Sequence, residues 1–261
     1  MAFYCPAADG LYLKASGDVV CWNSPGENSP LATVRADDLD RFDIVHDVLH
    51  GSAMRAMRRD LVAHRNPFPF CASCSWGCAQ DDAQWRNVDL ETWELKRLRV
   101  LQVEPSFLCN LDCPACFPFA QRREGKKAKI LQPQVLAKVV DDLVRAELPV
   151  DLVHLSGLGE PLMSPHFAEI VRYLKRRLHA PVHCHTNANF EFRQELLSCG
   201  LDSLTLAMDG AREETYGEYR KRGRFDRALR FARDLCGAKA RTGLNGLNVA
   251  WKTVMFQWNS S

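Results

Sequence analysis

The sequence lacks several features that would assign a protein of this size to a broad class. Its 261 residues carry a formal net charge of only +2, and the basic residues are not gathered in one stripe, so nothing indicates a nucleic-acid partner. No apolar run is long enough to cross a bilayer, and the first residues lack the cationic and then apolar pattern of a secretion signal. These absences predict a cytoplasmic protein with no nucleic-acid and no membrane partner.

The composition is otherwise that of an ordinary globular protein, with one exception. Hydrophobic residues make up 46% of the chain and charged residues 25%. The exception is eleven cysteines, an unusual number for a compartment in which thiols are kept reduced. An odd number arranged in clusters favours metal ligation over a disulfide framework. Cys184, Cys199 and Cys236 stand alone among apolar residues, and we expect them to be buried structural thiols.

The densest cysteine cluster is "CNLDCPAC", residues 109 to 116, with the spacing C-x3-C-x2-C. A four-iron cluster needs one ligand for each iron, so the three thiolates of Cys109, Cys113 and Cys116 would leave one iron open. An open coordination position is what separates a reactive metal site from a structural one. A zinc knuckle that takes its fourth ligand from elsewhere is the alternative interpretation of the same spacing.

Strands and helices alternate from about residue 98 onward. The predicted strands are 99–105, 150–156, 181–186, 202–208 and 246–256, and the predicted helices are 134–148, 166–178, 190–198 and 225–240. This alternation predicts a parallel α/β sheet, either a barrel or an open doubly wound sheet. The cysteine cluster, "GLGEP", "TNAN" and "MDG" each follow a strand, so we expect all four at the carboxyl-terminal mouth of the sheet, where barrel active sites form.

Residues 1 to 95 have a different character and predict a small cysteine-rich α+β module. A hairpin is expected around a turn at Gly17 and Asp18, followed by a helical stretch over 42–65. The cysteines of this part are Cys5, Cys21, Cys71, Cys74 and Cys78, the last three in the segment "CASCSWGC".

The motifs in residues 98 to 261, taken together, resemble the radical S-adenosylmethionine superfamily. They are "VEPS", "CNLDCPACF", "HLSGLGEPL", "TNANF" and "MDGAREETYGEYRKRG", in this order. The resemblance implies a partial (β/α)6 barrel with a 4Fe-4S cluster held by Cys109, Cys113 and Cys116, whose open iron is chelated by S-adenosylmethionine. It implies reductive cleavage of S-adenosylmethionine to a 5′-deoxyadenosyl radical, which abstracts a hydrogen from a peptide or small-molecule substrate.

The same resemblance assigns cofactor contacts to six residues: Gly157, Gly159, Glu160, Thr186, Asn187 and Arg220. The glycines would let the backbone approach the methionine end of the cofactor, and Glu160 would hold its amino group. Arg220 would face its carboxylate. Each assignment has an alternative without a role in cofactor binding. Glu160 would then be a surface side chain on a tight turn, and Thr186 and Asn187 would belong to an ordinary strand end. Arg222 and Arg224 lie nearby, so a solvated basic face is the alternative for the arginines.

Two features depart from the family's pattern. Ala207 stands where the family often offers a hydroxyl to the cofactor. Only five barrel strands are predicted where six are usual, so we expect either a fragment or a partner at the unpaired edge.

The first 95 residues resemble SPASM or twitch modules, which carry auxiliary iron–sulfur clusters. The resemblance implies a second 4Fe-4S cluster on Cys5, Cys21, Cys71 and Cys74, with Cys78 as a spare or alternative ligand. Zinc fits four thiolates as well on spacing alone. The expected organisation is an auxiliary module over residues 1–95 and a radical core over 96–261.

Three functions remain open at this point. The first is an enzyme that oxidises or modifies a peptide or small alcohol, passing an electron to the auxiliary cluster. The second is a non-catalytic iron–sulfur or zinc protein for electron transfer or interaction. The third is a radical enzyme without an auxiliary electron acceptor. A radical enzyme would need a flavodoxin- or ferredoxin-type electron donor, for which the lysine-rich segment "REGKKAKI" is a candidate docking site.

Overall fold

One mixed sheet of eight strands organises the described part of this computed structural model, which comprises residues 3–21, 31–68, 71, 74, 78–79, 82–114, 116, 130–244, 246–257 and 259. The strands are β1 (Phe3–Tyr4), β2 (Gly10–Leu13), β3 (Asp18–Val20), β4 (Ala32–Thr33), β5 (Cys78–Ala79), β6 (Val100–Val103), β7 (Val153–Leu155), β8 (Val182–Thr186), β9 (Ser203–Ala207) and β10 (Asn248–Lys252). The order in the large sheet is β10-β9-β8-β7-β6-β2-β3-β4, while β1 and β5 form a separate antiparallel pair.

Strands β6 to β10 are parallel neighbours in chain order, as in a partial (β/α) barrel. The helices are α1 (Ser52–Val62), α2 (Pro133–Arg145), α3 (Phe167–Leu178), α4 (Glu195–Ser198), α5 (Glu213–Tyr219) and α6 (Phe225–Thr242). Single turns of 3-10 helix span Leu39–Arg41 and Pro161–Met163, and a longer one spans Asp82–Asn87. The predicted α/β class and its alternation of strands and helices are confirmed. None of the helices in the part described here combines the length and the apolar character needed to span a membrane.

The apolar faces predicted for the two helices after the cysteine cluster are buried. In α2 these are Val135, Leu136, Val139, Val140 and Leu143, and in α3 they are Phe167, Ile170, Val171 and Leu174, all at most 4% exposed. They cover the outward face of the sheet, where Val153, Val182 and Leu204 are fully buried. Because neighbouring strand residues point to opposite faces, the side chains between them line the interior of the sheet.

The N-terminal hairpin joins this sheet directly. Strand β2 pairs in parallel with β6, with Leu11 opposite Leu101. The predicted turn between β2 and β3 is present, and Gly17 has a φ of +85°; a Cβ there would meet the carbonyl oxygen of Val34 at 2.2 Å. The sheet therefore continues across residue 95, where the sequence predicts a boundary. On the opposite side, the described residues place no further strand beside β10.

The helical stretch predicted over 42–65 is present, but as two pieces, a π-helical turn, Ile44–Leu49, and α1, which are separated at Gly51, where the backbone is extended with a ψ of 158°. Two other local predictions are wrong. The helix predicted over 190–198 is reduced to α4. Cys236 is exposed, since it points away from the buried face of α6, whereas Cys184 and Cys199 are buried as predicted.

Candidate active site

A cavity of about 260 Å³ opens at the carboxyl ends of β6 to β9. Its lining includes the three cysteines of the central cluster and all six predicted cofactor-binding residues: Cys109, Cys113, Cys116, Gly157, Gly159, Glu160, Thr186, Asn187 and Arg220. Carboxyl ends of parallel strands meet at one edge of a sheet, so the fold brings together residues that are up to 111 positions apart. The lining also includes seven residues that the sequence did not assign as ligands or cofactor contacts: Leu111, Ser156, Leu158, Pro161, His185, Ala207 and Tyr219.

Nitrogen donors approach the thiols of Cys109 and Cys113. The backbone N–H of Leu111 lies 3.5 Å from Cys109 Sγ, and Asn187 Nδ2 lies 3.8 Å from the same sulfur. Arg220 Nη1 lies 3.9 Å from Cys113 Sγ. Burial raises the pKa of Cys113, and the charge of Arg220 opposes this shift. Donors placed in this way stabilise thiolate charge, as ligands of an iron–sulfur cluster require.

The three thiols fit a multi-iron cluster better than a single ion. Among the described residues, no three or more His, Cys, Asp or Glu side chains converge on one metal-ion position. A zinc ion draws its ligands together at about 2.3 Å from the metal, whereas the corners of a larger cluster hold them further apart. Three thiols on one cavity, with N–H donors toward the sulfurs of Cys109 and Cys113, are a donor set that suits an iron–sulfur cluster.

Glu160 is a buried carboxylate, which excludes the interpretation as a surface residue on a turn. It is 3% exposed, and it accepts hydrogen bonds from Thr186 Oγ1 and Asn187 N, each at 2.8 Å, and from Leu162 N at 3.1 Å. Burial raises the pKa of Glu160 to about 7, against the effect of these hydrogen bonds. Thr186 and Asn187 thus hold the carboxylate in place at the cavity wall.

The two glycines of "GLGEP" are explained by close packing against the neighbouring strand. A Cβ on Gly159 would lie 2.2 Å from the carbonyl oxygen of Ser106, and one on Gly157 would lie 2.4 Å from Glu104 Oε1. Sequence reasoning expected glycine because a cofactor approaches the backbone; the structure shows that the segment has no room for a side chain on its protein side.

Glu104 is a site residue that sequence reasoning missed. It is 1% exposed and accepts hydrogen bonds from Leu158 N at 2.7 Å and from Ala15 N at 3.2 Å. It therefore ties the glycine segment to the N-terminal hairpin. The only signal in the sequence was an acidic residue at a strand end, in "VEPS", and this gave no reason to expect a carboxylate that binds backbone.

Arg220 differs from the other arginines beside it. Its Nε donates to Asp209 Oδ2 at 2.6 Å, and Asp209 is fully buried. Arg222 pairs with Asp112 and Arg224 with Asp226, and both of these arginine side chains are largely exposed. A solvated basic face therefore describes Arg222 and Arg224 but not Arg220, whose charge is fixed at the cavity.

The N-terminal cysteines also lie near one another. A hydrogen bond with the Cys21 thiol, together with burial, raises the pKa of Cys5, and the charge of Cys74 contributes to the same shift. Burial raises the pKa of Cys71, with smaller contributions from Cys21 and Cys74. The side chain of Cys78, like residues 117–129 with most of the lysine-rich segment, lies outside the described residues.

Comparison with known proteins gives a match to the family model of the radical SAM superfamily over residues 103–249, which is more than half of the chain. The chain is 29% identical over 150 residues to mycofactocin maturase MftC of Mycolicibacterium smegmatis, covering 56% of this chain and 34% of that protein. It is 29% identical over 115 residues to the tungsten-containing aldehyde ferredoxin oxidoreductase cofactor-modifying protein of Pyrococcus furiosus, covering 43% and 31%. The chain thus spans about a third of the length of these relatives. It is also similar to a solved structure of anSMEcpe with bound AdoMet, at 16% identity and a TM-score of 0.45, over 61% of this chain and 53% of that one.

Proposed function

Because the chain belongs to the radical SAM superfamily, we propose that it cleaves S-adenosylmethionine reductively at a 4Fe-4S cluster bound by Cys109, Cys113 and Cys116. When bound, the cluster supplies the electron that breaks a sulfonium C–S bond, and the 5′-deoxyadenosyl radical so released abstracts a hydrogen atom from the substrate. The observation that carries this proposal is one cavity lined by the three thiols together with the buried carboxylate of Glu160 and the guanidinium of Arg220, whose side chain is 14% exposed.

The charges in the cavity match the amino-acid end of S-adenosylmethionine, which carries one amino group and one carboxylate. Glu160, held by Thr186 and Asn187, offers an acceptor to the amino group. Arg220, held by Asp209, offers a cation to the carboxylate. Ala207 also lines the cavity, and its methyl group gives no hydrogen bond in the place where a hydroxyl is common in the family.

The N-terminal part supports a second proposal, an auxiliary 4Fe-4S cluster on Cys5, Cys21, Cys71 and Cys74. The nearness of Cys21 and Cys74 to both Cys5 and Cys71 supports it. Such a cluster would accept the electron released when a substrate radical is oxidised. We retain residues 1–95 as the auxiliary module and 96–261 as the radical core.

The substrate that fits this proposal is a peptide or a small molecule. The names of the two relatives, a maturase and a cofactor-modifying protein, support modification of such a molecule. A flavodoxin or ferredoxin would supply the electron. The proposed location is the cytoplasm, because this compartment keeps cysteine thiols reduced and available as cluster ligands.

Replacing Cys113 by alanine tests the proposed function. Anaerobically reconstituted wild-type protein, given dithionite and S-adenosylmethionine, is expected to release 5′-deoxyadenosine, measured by liquid chromatography. The variant is expected to form at least about a thousandfold less 5′-deoxyadenosine, because one of the three cluster ligands is absent. Cys236→Ala is the matched control, since Cys236 is an exposed cysteine far from both cysteine groups in sequence. No nucleoside from the wild-type protein would instead support a non-catalytic iron–sulfur or zinc protein.

Iron content tests the auxiliary cluster separately. We expect about eight irons per chain in the wild-type protein and about four in the variant Cys71→Ala Cys74→Ala, because each cluster holds four. This variant should still form 5′-deoxyadenosine. A wild-type value of about four irons, with one zinc bound to the N-terminal cysteines, would replace the auxiliary cluster by a structural zinc site.

A further inference from the structure

The interior face of the parallel sheet carries a group of polar side chains that the cofactor site does not use. In register, His154 lies opposite His183 on β8, and His185 lies opposite Thr205 on β9. Lys252, at the end of β10, lies opposite Ala207. On β7, β8 and β9 the alternating positions before the strand ends are apolar and buried: Val153, Leu155, Val182, Cys184, Leu204 and Leu206.

This face continues directly from the cofactor cavity. His185 and Ala207 line the cavity itself, and the imidazole rings of His185 and His154 meet edge to face with their centroids 4.6 Å apart. Lys252 stands beside Ala207 at the same rim. A molecule lying on this face would therefore sit next to the position proposed for S-adenosylmethionine.

The electrostatic character of the face favours an anion. Burial lowers the pKa of His154 to about 4, with the charges of His185, His183 and Lys252 adding to the shift, and the pKa of His185 is lowered by burial and by Lys252. Both imidazoles are thus neutral N–H donors at pH 7, and Lys252 supplies one full positive charge. The acidic residue in line with this face, Glu104, already accepts hydrogen bonds from Ala15 N and Leu158 N.

We propose that this interior face binds a carboxylate group of the substrate, with Lys252 as its ionic partner and His154 and His185 as hydrogen-bond donors. The proposal rests on the function proposed above and names the chemistry of its substrate. Lys252 and several neutral donors match a singly charged carboxylate better than a phosphate dianion, since the other lysine near this face, Lys14, lies beside the carboxylate of Glu104. A metal ion does not account for the group, since the described histidines do not converge on a metal position.

Protection of the histidines from chemical modification tests this proposal. The anaerobically reconstituted protein is treated with diethylpyrocarbonate in the presence of about 10 mM N-acetylglycine, and modification of each histidine is followed by peptide mass spectrometry. We expect the rate at His154 and His185 to fall about threefold or more, which corresponds to binding in the millimolar range. N-acetylglycinamide, which lacks the charge, should give no protection. A second probe, the α-amide of N-acetylaspartate, distinguishes a side-chain carboxylate from a peptide carboxyl terminus.

Controls within the chain make the result specific. His46, whose side chain is 88% exposed, should be modified equally under all conditions. Lys252→Gln should lose the protection and Lys252→Arg should keep it, while Lys239→Gln, in the last turn of α6, should behave as the wild type. Three results would overturn the proposal. They are equal protection by N-acetylglycinamide, protection that persists in the Lys252→Gln variant, and the absence of protection with both carboxylate probes. Release of 5′-deoxyadenosine by the wild-type protein, measured in the same samples, reports separately on the proposed function.

Discussion

Gly159→Ala is expected to weaken binding of S-adenosylmethionine by about tenfold to a hundredfold. The new methyl group would lie 2.2 Å from the carbonyl oxygen of Ser106 and 2.5 Å from the backbone carbon of Phe107, and neither backbone atom can rotate away. The glycine segment must shift, and Glu160 shifts with it. Overpacking of this kind costs about 1 to 3 kcal/mol, and 1.4 kcal/mol is a factor of ten in affinity. Equilibrium binding to the reconstituted protein measures the loss.

Gly217→Ala is the matched control, because a Cβ at this helical position meets no atom within 4 Å. It should bind S-adenosylmethionine as the wild type does and should be slightly more stable, since alanine favours a helix over glycine. Iron content and far-ultraviolet circular dichroism should be the same in both variants. Equal cofactor affinity in the two would show that the packing of Gly159 against Ser106 does not position the cofactor site.

Repeating local patterns made much of the barrel predictable from the sequence. The apolar residues of α2 and α3 recur with the helical period, and all of those predicted to be buried are buried. A helix without such a repeat was not predicted: α5, Glu213–Tyr219, buries only Tyr216. The helix expected over 190–198 begins only at Glu195, and just before the expected start Asn189 accepts from Arg224 N and donates to Arg224 O, contacts with a distant segment that no local pattern predicts.

The position of the N-terminal hairpin could not be predicted in this way. Its strands and its turn are local features, and both were expected. The pairing of β2 with β6 joins residues about 90 positions apart, and no local pattern specifies which strand edge a hairpin will occupy. The same limit applies to Glu104, whose partners Ala15 and Leu158 come from two distant segments.

In the candidate site, the resemblance to the family predicted which residues belong to the site, and the structure shows how they are held there. Because the cysteines, the glutamate and the arginine follow successive parallel strands, the sequence is enough to predict that they lie together at the carboxyl-terminal edge of the sheet. The burial of Glu160 and the pairing of Arg220 with Asp209 depend on contacts between loops. The resemblance singled out Arg220, but residue type alone could not separate it from Arg222 and Arg224, which differ only in what surrounds them.

Asp209→Asn is expected to destabilise the protein by about 3 to 5 kcal/mol and to weaken binding of S-adenosylmethionine. Asp209 is fully buried, and it accepts from both Arg220 and Val254 N. The asparagine side chain can still accept a hydrogen bond from Val254 N. The guanidinium of Arg220, however, loses its counter-charge, and removing one partner of a buried ion pair is strongly destabilising because the other charge is left unpaired. Differential scanning fluorimetry under anaerobic conditions should show a midpoint lower by about 6 °C or more. Asp226→Asn, which removes an exposed partner of Arg224, should change the midpoint by less than about 2 °C.

A double variant separates the two roles of this ion pair. When both partners are replaced by apolar residues, as in Asp209→Leu Arg220→Met, no buried charge is left alone, so most of the lost stability should return. Binding of S-adenosylmethionine should not return, because the cation that would meet the cofactor carboxylate is absent. If the double variant bound S-adenosylmethionine as tightly as the wild type, Arg220 would serve only to neutralise Asp209, and the carboxylate of the cofactor would need a different partner in the cavity.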